Sequence, residues 1–280
     1  MMSRVYRALE KAEEEKKKAE KERSPLKVFE EKMVHRDIET PPEKKPESVK
    51  GLELPQKEEP PFELISLNSF ATEEFRKLKT QVFHRLPNPP HSILITSAAP
   101  GEGKTTVAIH LAMAISLEIH KKAILIDSDL RKPGIYFDGL KNSKGLSDYL
   151  SGQVPLSSIL MESGTENLQV ILSGPSSSKS TELIGSKRME ELLTSLKGSG
   201  DSTYIIIDSS PIISTSEPAL LSKLVDGIIL VILADRTPRE TVQRAIKSID
   251  SQKILGIVLN QVNLKGSSYY SKYYYKYYHK

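Results

Sequence analysis

The chain contains no cysteine. A disulfide framework and thiolate chemistry are excluded, and the absence agrees with a reducing compartment. Long hydrophobic runs are missing too. The longest, GIILVILA from Gly227 to Ala234, is far short of the roughly 20 residues a membrane span needs. The opening MMSRVYRALEKAEEEKKK lacks a signal peptide's apolar core. The expectation is a cytoplasmic protein that reaches the inner face of the membrane, if at all, through a partner. A net charge of +4 is too small to argue for nucleic acid. No internal repeat is present.

Only 38% of the 280 residues are hydrophobic and 27% are charged, but these averages hide a split. Up to Pro61 about half of the residues are charged and few apolar ones cluster. Within this region SRVYRALEKAEEEKKKAEKER is made of strong helix formers with no Gly or Pro. TPPEKKPESVKGLELPQKEEPP has the repeated Pro of an extended, disordered linker. Residues 1–61 are therefore expected to form a charged helix and linker, residues 62–264 a folded domain, and residues 265–280 a disordered tail.

In the middle segment the hydrophobic pattern alternates. Phe75, Leu78 and Val82 have helical spacing. Apolar runs start at Ser92, Ala123, Leu168, Tyr204, Gly227 and Ile254. Helical stretches interleave with them at Val107–Leu117, from Met189, and in TVQRAIKSI. Short apolar runs alternating with helices specify an α/β fold, with a mostly parallel sheet covered by helices on both faces. Ligands in such folds bind beyond the carboxyl ends of the strands.

The run from Ile93 leads into SAAPGEGKTT and then a helix. This is nearly the P-loop pattern, with Ala98 where the first Gly is usual. Gly101 and Gly103 let backbone N–H groups turn inward around a phosphate chain, and the helix from Lys104 aims its positive end at the same anion. Lys104 is expected on the β- and γ-phosphates and the Thr105 hydroxyl on Mg²⁺. Pro100, Glu102 and Thr106 complete the predicted nucleotide loop. Two further strands end in carboxylates, at Asp127 and Asp129 in ILIDSDLRKP and at Asp208 in YIIIDSSPI. Of the first pair, one suits the metal or its water and the other a hydroxyl proton; the bland alternative is that both cap turns. Asp208 has the Walker-B arrangement, a carboxylate on a rigid strand end beside Mg²⁺.

The motifs APGEGKTT, ILIDSDLRKP and IIIDSSP, in this order and followed by a tyrosine-rich end, resemble the bacterial tyrosine kinases, which use a P-loop NTPase domain instead of the eukaryotic kinase fold. The resemblance covers roughly Phe70 to Lys280. It implies ATP- and Mg²⁺-dependent autophosphorylation on tyrosine. Lys104 and Thr105 would hold phosphates and metal, and Asp127 and Asp129 would take the roles of the family's A′ motif, with Asp127 the chosen base. Asp129 and Asp208 would serve the metal. Arg131 would neutralise phosphate charge and Asn260 would contact the base. Glu73, Arg76 and Lys79 resemble the family's E-x-x-R-x-x-R subunit contact, with Lys in the last position. Lys keeps the charge but lacks the planar fork of Arg. Ser209-Ser210-Pro211 and Glu217-Pro218 stand where the family usually has Thr-Pro-Pro and Asp-Ala.

The final stretch YYSKYYYKYYHK holds Tyr269, Tyr270, Tyr273, Tyr274, Tyr275, Tyr277 and Tyr278, seven of the eleven tyrosines. After Leu264 there is no Leu, Ile or Val, so the tail has nothing with which to bury itself. On a kinase it reads as a set of phosphoacceptors. Each phosphate would add about −1.5 to −2 charges, enough to expel the tail from a neighbour's acidic site. A cycle of association, transfer in trans and separation is expected. Family members without membrane spans work with a separate transmembrane activator in extracellular polysaccharide synthesis and export. The expected partners are thus further copies of the chain, in an oligomer or ring, such an activator and other protein substrates, with no nucleic acid. The main rival is a nucleotide-switched ATPase of the partition or division type. Those proteins carry a signature Lys where Ala99 stands.

Overall fold

A computed structural model describes residues 70–84, 89–135, 143–198, 200 and 202–262. The expected N-terminal helix and linker, and the whole tyrosine cluster, lie outside the described residues.

The elements run in chain order as α1 (Phe70–His84), β1 (Ser92–Ser97), α2 (Lys104–Ser116), β2 (Lys122–Asp127), α3 (Leu146–Leu150), β3 (Met161–Glu162), β4 (Leu168–Ile171), α4 (Ser180–Ile184), α5 (Lys187–Lys197), β5 (Thr203–Asp208), α6 (Glu217–Leu224), β6 (Gly227–Leu233), α7 (Arg239–Lys247) and β7 (Ile254–Asn260). The strands form one sheet in the order β3-β4-β2-β5-β1-β6-β7. All pairings are parallel except β3 with β4. The expected mostly parallel α/β sheet is therefore what the chain forms. Strand β3, two residues long, and the helices α3, α4 and α6 were not anticipated.

Every residue of β1 and β5 is buried, because helices cover both faces. Alternate side chains of a strand point to opposite faces, which divides the core in two. Leu94, Ile126, Ile205, Ile207 and Leu230 join one apolar cluster, where Met189, Leu192 and Leu196 of α5, Leu221 of α6 and Ala245 of α7 pack. Ile93, Ile95, Leu125, Ile206 and Val231 face the other, with Leu111 and Ile115 of α2. Phe75, Leu78 and Val82 of α1 pack there too. Helix α2 lies against both the sheet and α1, so it is apolar nearly all round instead of carrying a polar stripe.

This packing sets the position of the site. The chain leaves β1 to form β2 two places away, beyond β5, and returns from β5 across β1 to β6. The carboxyl ends of β1, β2 and β5 meet at that crossover, where such sheets place ligands.

Candidate active site

The loop after β1 is shaped by two left-handed glycines, Gly101 (φ 79°) and Gly103 (φ 88°). At Gly103 the requirement is double: the backbone is left-handed, and a Cβ would collide with the side-chain amide of Asn260. Asn260 ends β7 and donates from Nδ2 to the Glu102 carbonyl at 2.9 Å. Glu102 turns its own carboxylate inward, 3% exposed. It accepts from the Ala99 N–H at 2.7 Å and from the Thr237 hydroxyl. In this structure Glu102 and Asn260 thus brace the loop from behind, and Thr237 joins them, a part that sequence reading missed.

Behind Gly103, α2 begins with Lys104 and Thr105. The Lys104 ammonium lies 3.8 Å from Asp129 Oδ2 and 3.9 Å from Asp208 Oδ1, and donates to Thr105 Oγ1 at 3.2 Å. The Thr105 hydroxyl donates to Asp208 Oδ2 at 2.7 Å. Asp208 and Asp127 end neighbouring strands and are partners in register. The residues expected at the phosphates and the metal, Lys104, Thr105, Asp129 and Asp208, are therefore gathered in one cluster with Asp127 beside it.

The carboxylates differ in their surroundings. Asp127 is fully buried. Its Oδ1 accepts from the Asp129 N–H and its Oδ2 from the N–H groups of Gly134 and Ile135, each at 3.0 Å. Those bonds occupy three of about four lone-pair directions of a carboxylate. Asp129 accepts from the Lys132 N–H at 3.0 Å. The A′ segment thus wraps its own backbone around its two acids, so the turn-capping alternative describes part of what they do. Gly134 closes the wrap; a Cβ there would come within 2.8 Å of Thr105 Oγ1 and 3.3 Å of Asp208 Oδ2. Nothing in the sequence pattern marked Gly134 as a contact of the site.

Burial pushes the Asp127 carboxyl up to about 7, with the Asp208 charge adding to it and the three backbone bonds opposing. Burial raises Asp208 as well, to about 6, against the pull of Lys104 and the Thr105 hydroxyl. Asp208 Oδ1 is buried and, among the described residues, has no hydrogen-bond partner. A buried carboxylate oxygen without a donor is costly, and a cation would relieve it. Among the described residues no three His, Cys, Asp or Glu side chains form a complete metal cage. Mg²⁺ does not need one, since it takes one or two carboxylates together with substrate phosphates. The donor set therefore fits Mg²⁺ bound with a nucleotide.

Arg131, expected at the phosphates, bonds elsewhere in this structure. Its Nε donates to Ser180 Oγ at 2.8 Å and to Glu217 Oε1 at 3.0 Å, and its Nη2 to Thr181 Oγ1 at 3.2 Å. None of these partners belongs to the phosphate loop. The physical reason is Glu217, a buried carboxylate, 2% exposed, that draws in the nearest guanidinium.

On α1, Arg76 pairs with Glu73 at 3.2 Å, while Lys79 reaches Glu118 at 2.9 Å. Arg76 and Lys79 line a groove of about 370 Å³ between α1 and α2, together with Phe75, His110, Met113 and Leu117.

Comparison with known proteins agrees with this geometry. The family described as AAA domain matches residues 91–257, more than half of the chain. The tyrosine-protein kinase YwqD of Bacillus subtilis (strain 168) is 34% identical over 209 residues, covering 73% of this chain and 86% of that one. The putative tyrosine-protein kinase CapB of Staphylococcus aureus is 32% identical over 207 residues, covering 72% and 90%. Among solved structures, the kinase domain of the Escherichia coli tyrosine kinase ETK superposes with a TM-score of 0.65 at 28% identity, covering 71% of this chain and 78% of that one. The chimerical protein CapA2B2 gives a TM-score of 0.64 at 28% identity, covering 71% and 88%. These relatives favour a kinase over a partition-type ATPase, and with motifs, fold and relatives in agreement the chain belongs to the bacterial tyrosine kinase family.

Proposed function

We propose that the protein is an ATP-dependent tyrosine autokinase. It phosphorylates Tyr269, Tyr270, Tyr273, Tyr274, Tyr275, Tyr277 and Tyr278 of a neighbouring copy and thereby regulates extracellular polysaccharide synthesis and export. The observation that carries this reading is the gathering of Lys104, Thr105, Asp129 and Asp208, with Asp208 Oδ1 left without a hydrogen bond, at the crossover of a tyrosine-kinase fold. Magnesium-bound ATP supplies the transferable phosphoryl group, and the metal withdraws charge from its oxygens.

The protein's own residues do the rest. The N–H groups of the loop from Pro100 to Gly103 and the start of α2 at Lys104–Thr106 hold the phosphates. Lys104 balances charge on the group in transit. Thr105, Asp129 and Asp208 hold the metal, and Asn260 keeps the loop in place against the nucleotide. Asp127 takes the phenolic proton through its one lone-pair direction not used by backbone; the tyrosyl oxygen forms the new bond to phosphorus as the bond to ADP breaks.

The groove beside Glu73, Arg76 and Lys79 seats a second copy, and this contact delivers the neighbour's tail. A separate transmembrane protein is the activator, and it brings the kinase to the inner face of the membrane. Among the described residues no helix is long and apolar enough to cross one.

The test is incubation of the purified full chain with Mg²⁺ and ATP, with and without a membrane activator, followed by detection of phosphotyrosine. Lys104→Met and a chain ending at Lys265 are run beside it. Signal in the full chain and none in either variant is expected. No signal from the full chain even with the activator would overturn the reading.

A further inference from the structure

Glu217 has no part in the chemistry above, yet it is the most heavily hydrogen-bonded buried acid outside the site. Its Oε1 accepts from Ser180 Oγ at 2.6 Å, Thr181 Oγ1 at 3.1 Å and Arg131 Nε at 3.0 Å. It is the first residue of α6, nine positions beyond Asp208 in the loop that β5 feeds. Arg131 is two positions beyond Asp129, inside the turn whose amides hold Asp127 and Asp129. The same turn is pinned once more where the Ser177 N–H donates to the Leu130 carbonyl at 3.0 Å.

We propose that Glu217 is a positioning residue: through Arg131 it forms a strut from the start of α6 to the A′ turn, and so fixes where Asp127 and Asp129 stand. Two observations exclude a looser role. The Glu217 carboxylate is 3% exposed and the Arg131 side chain 49%; moving the arginine to a phosphate would leave an acid buried without its counter-ion, a costly state. The strut also joins segments 86 residues apart in sequence, so it ties the loop after one carboxylate strand to the turn after the other. Arg131 therefore orients the acids instead of binding the nucleotide, and Glu217 keeps it there.

This inference rests on the kinase reading for its substrate, and the experiment separates the two. ATP hydrolysis and phosphotyrosine formation are measured in parallel on the full chain, with nucleotide affinity from a fluorescent ADP analogue. Wild type, Glu217→Gln, Arg131→Gln and the double variant are compared. Glutamine keeps the length and one acceptor but removes the charge that holds the arginine. The hydrolysis kcat is expected to fall about ten- to a hundredfold in each single variant, as for a displaced catalytic group. Nucleotide affinity stays within about twofold, and the double variant is no slower than the slower single one, because both remove the same strut.

Glu217→Gln with the wild-type kcat overturns the proposal. So does an Arg131→Gln variant that loses nucleotide affinity at unchanged kcat, since Arg131 would then touch phosphate. Should Glu217→Gln fail to fold by circular dichroism, Arg131→Gln breaks the strut from its half-exposed end and decides the question alone. Wild type that hydrolyses ATP without forming phosphotyrosine sinks the kinase reading and leaves the strut comparison intact.

Discussion

Asp208 and Glu217 lie nine residues apart, are both almost fully buried, and are electrostatically opposite. Burial raises both carboxyls. At Glu217, hydrogen bonds led by that of the Ser180 hydroxyl outweigh it and hold the acid down at about 2. At Asp208, Lys104 and the Thr105 hydroxyl fall short, and the acid stays up at about 6. Among the described residues each acid keeps one buried oxygen without a hydrogen-bond partner, Glu217 Oε2 and Asp208 Oδ1. They differ at the other oxygen, where Glu217 Oε1 accepts from three side chains and Asp208 Oδ2 from the Thr105 hydroxyl. At Glu217 a guanidinium and two hydroxyls converge on one oxygen and hold the acid ionised, which suits an anchor. At Asp208 burial outweighs the partners, and a cation arriving between Asp208, Thr105 and Asp129 would offset that cost.

The largest effect expected from breaking this contrast is at Asp208. Asp208→Asn should lower phosphoryl transfer by about a hundredfold or more, as loss of a charge-stabilising group does. In the absence of nucleotide and Mg²⁺ it should nonetheless raise the melting temperature by a few degrees (~1 kcal/mol corresponds to roughly 2–4 °C at this size), because no charge then has to be kept in a donor-poor position. Phosphotyrosine formation with Mg²⁺·ATP reads the first effect, and calorimetry of both forms with and without Mg²⁺·ADP reads the second.

Gly103→Ala comes next. Its left-handed backbone and the collision with Asn260 should cost about tenfold or more in nucleotide affinity, from roughly 1–3 kcal/mol of local strain, with little change in overall fold by circular dichroism.

Glu217→Ala tests the other acid. It strips three donors of their acceptor and should destabilise the domain by about 2 kcal/mol, measured by urea unfolding, with no gain under any metal condition.

The smallest effect is in pH. Asp127 has an ordinary value of 3.8 and a native one of about 7. Between those values the native state keeps a proton that the unfolded chain has released, so its contribution to stability falls as pH rises across that window. Glu217 runs the other way: its contribution is present above 4.5 and is lost only as pH falls toward about 2. Without nucleotide, the decline in melting temperature between mildly acidic and neutral pH should be shallower in Asp127→Asn than in the wild type.

Much of this was legible in the sequence, for physical reasons. Strands buried on both faces must be apolar at every position, so β1, β2, β5 and β6 stood out as runs. The acids that follow β2 and β5 were visible because a carboxylate directly after such a run is conspicuous. Strand β3 was not legible: two residues carry no periodicity, and its pairing depends on a hairpin with β4. Helices α3 and α4, at five residues each, are too short to show a stripe. Helix α6, at eight residues, is about two turns long and too short to show a clear stripe. The partnership of Glu217 with Arg131 was hidden because it joins positions far apart whose only local signal is a charge. Glu102 reads as a solvent-facing acid of the phosphate loop, and only the approach of Thr237 and the Ala99 N–H turns it inward.

The most direct test of the account is the Mg²⁺ dependence of phosphotyrosine formation by the full chain, compared with Asp208→Asn. Saturable, Mg²⁺-dependent phosphorylation of the tyrosines between Tyr269 and Tyr278 is expected in the wild type, and a rate lower by about a hundredfold or more in the variant at every Mg²⁺ concentration. An Asp208→Asn variant that modifies its tail at the wild-type rate, with the same Mg²⁺ dependence, would contradict it.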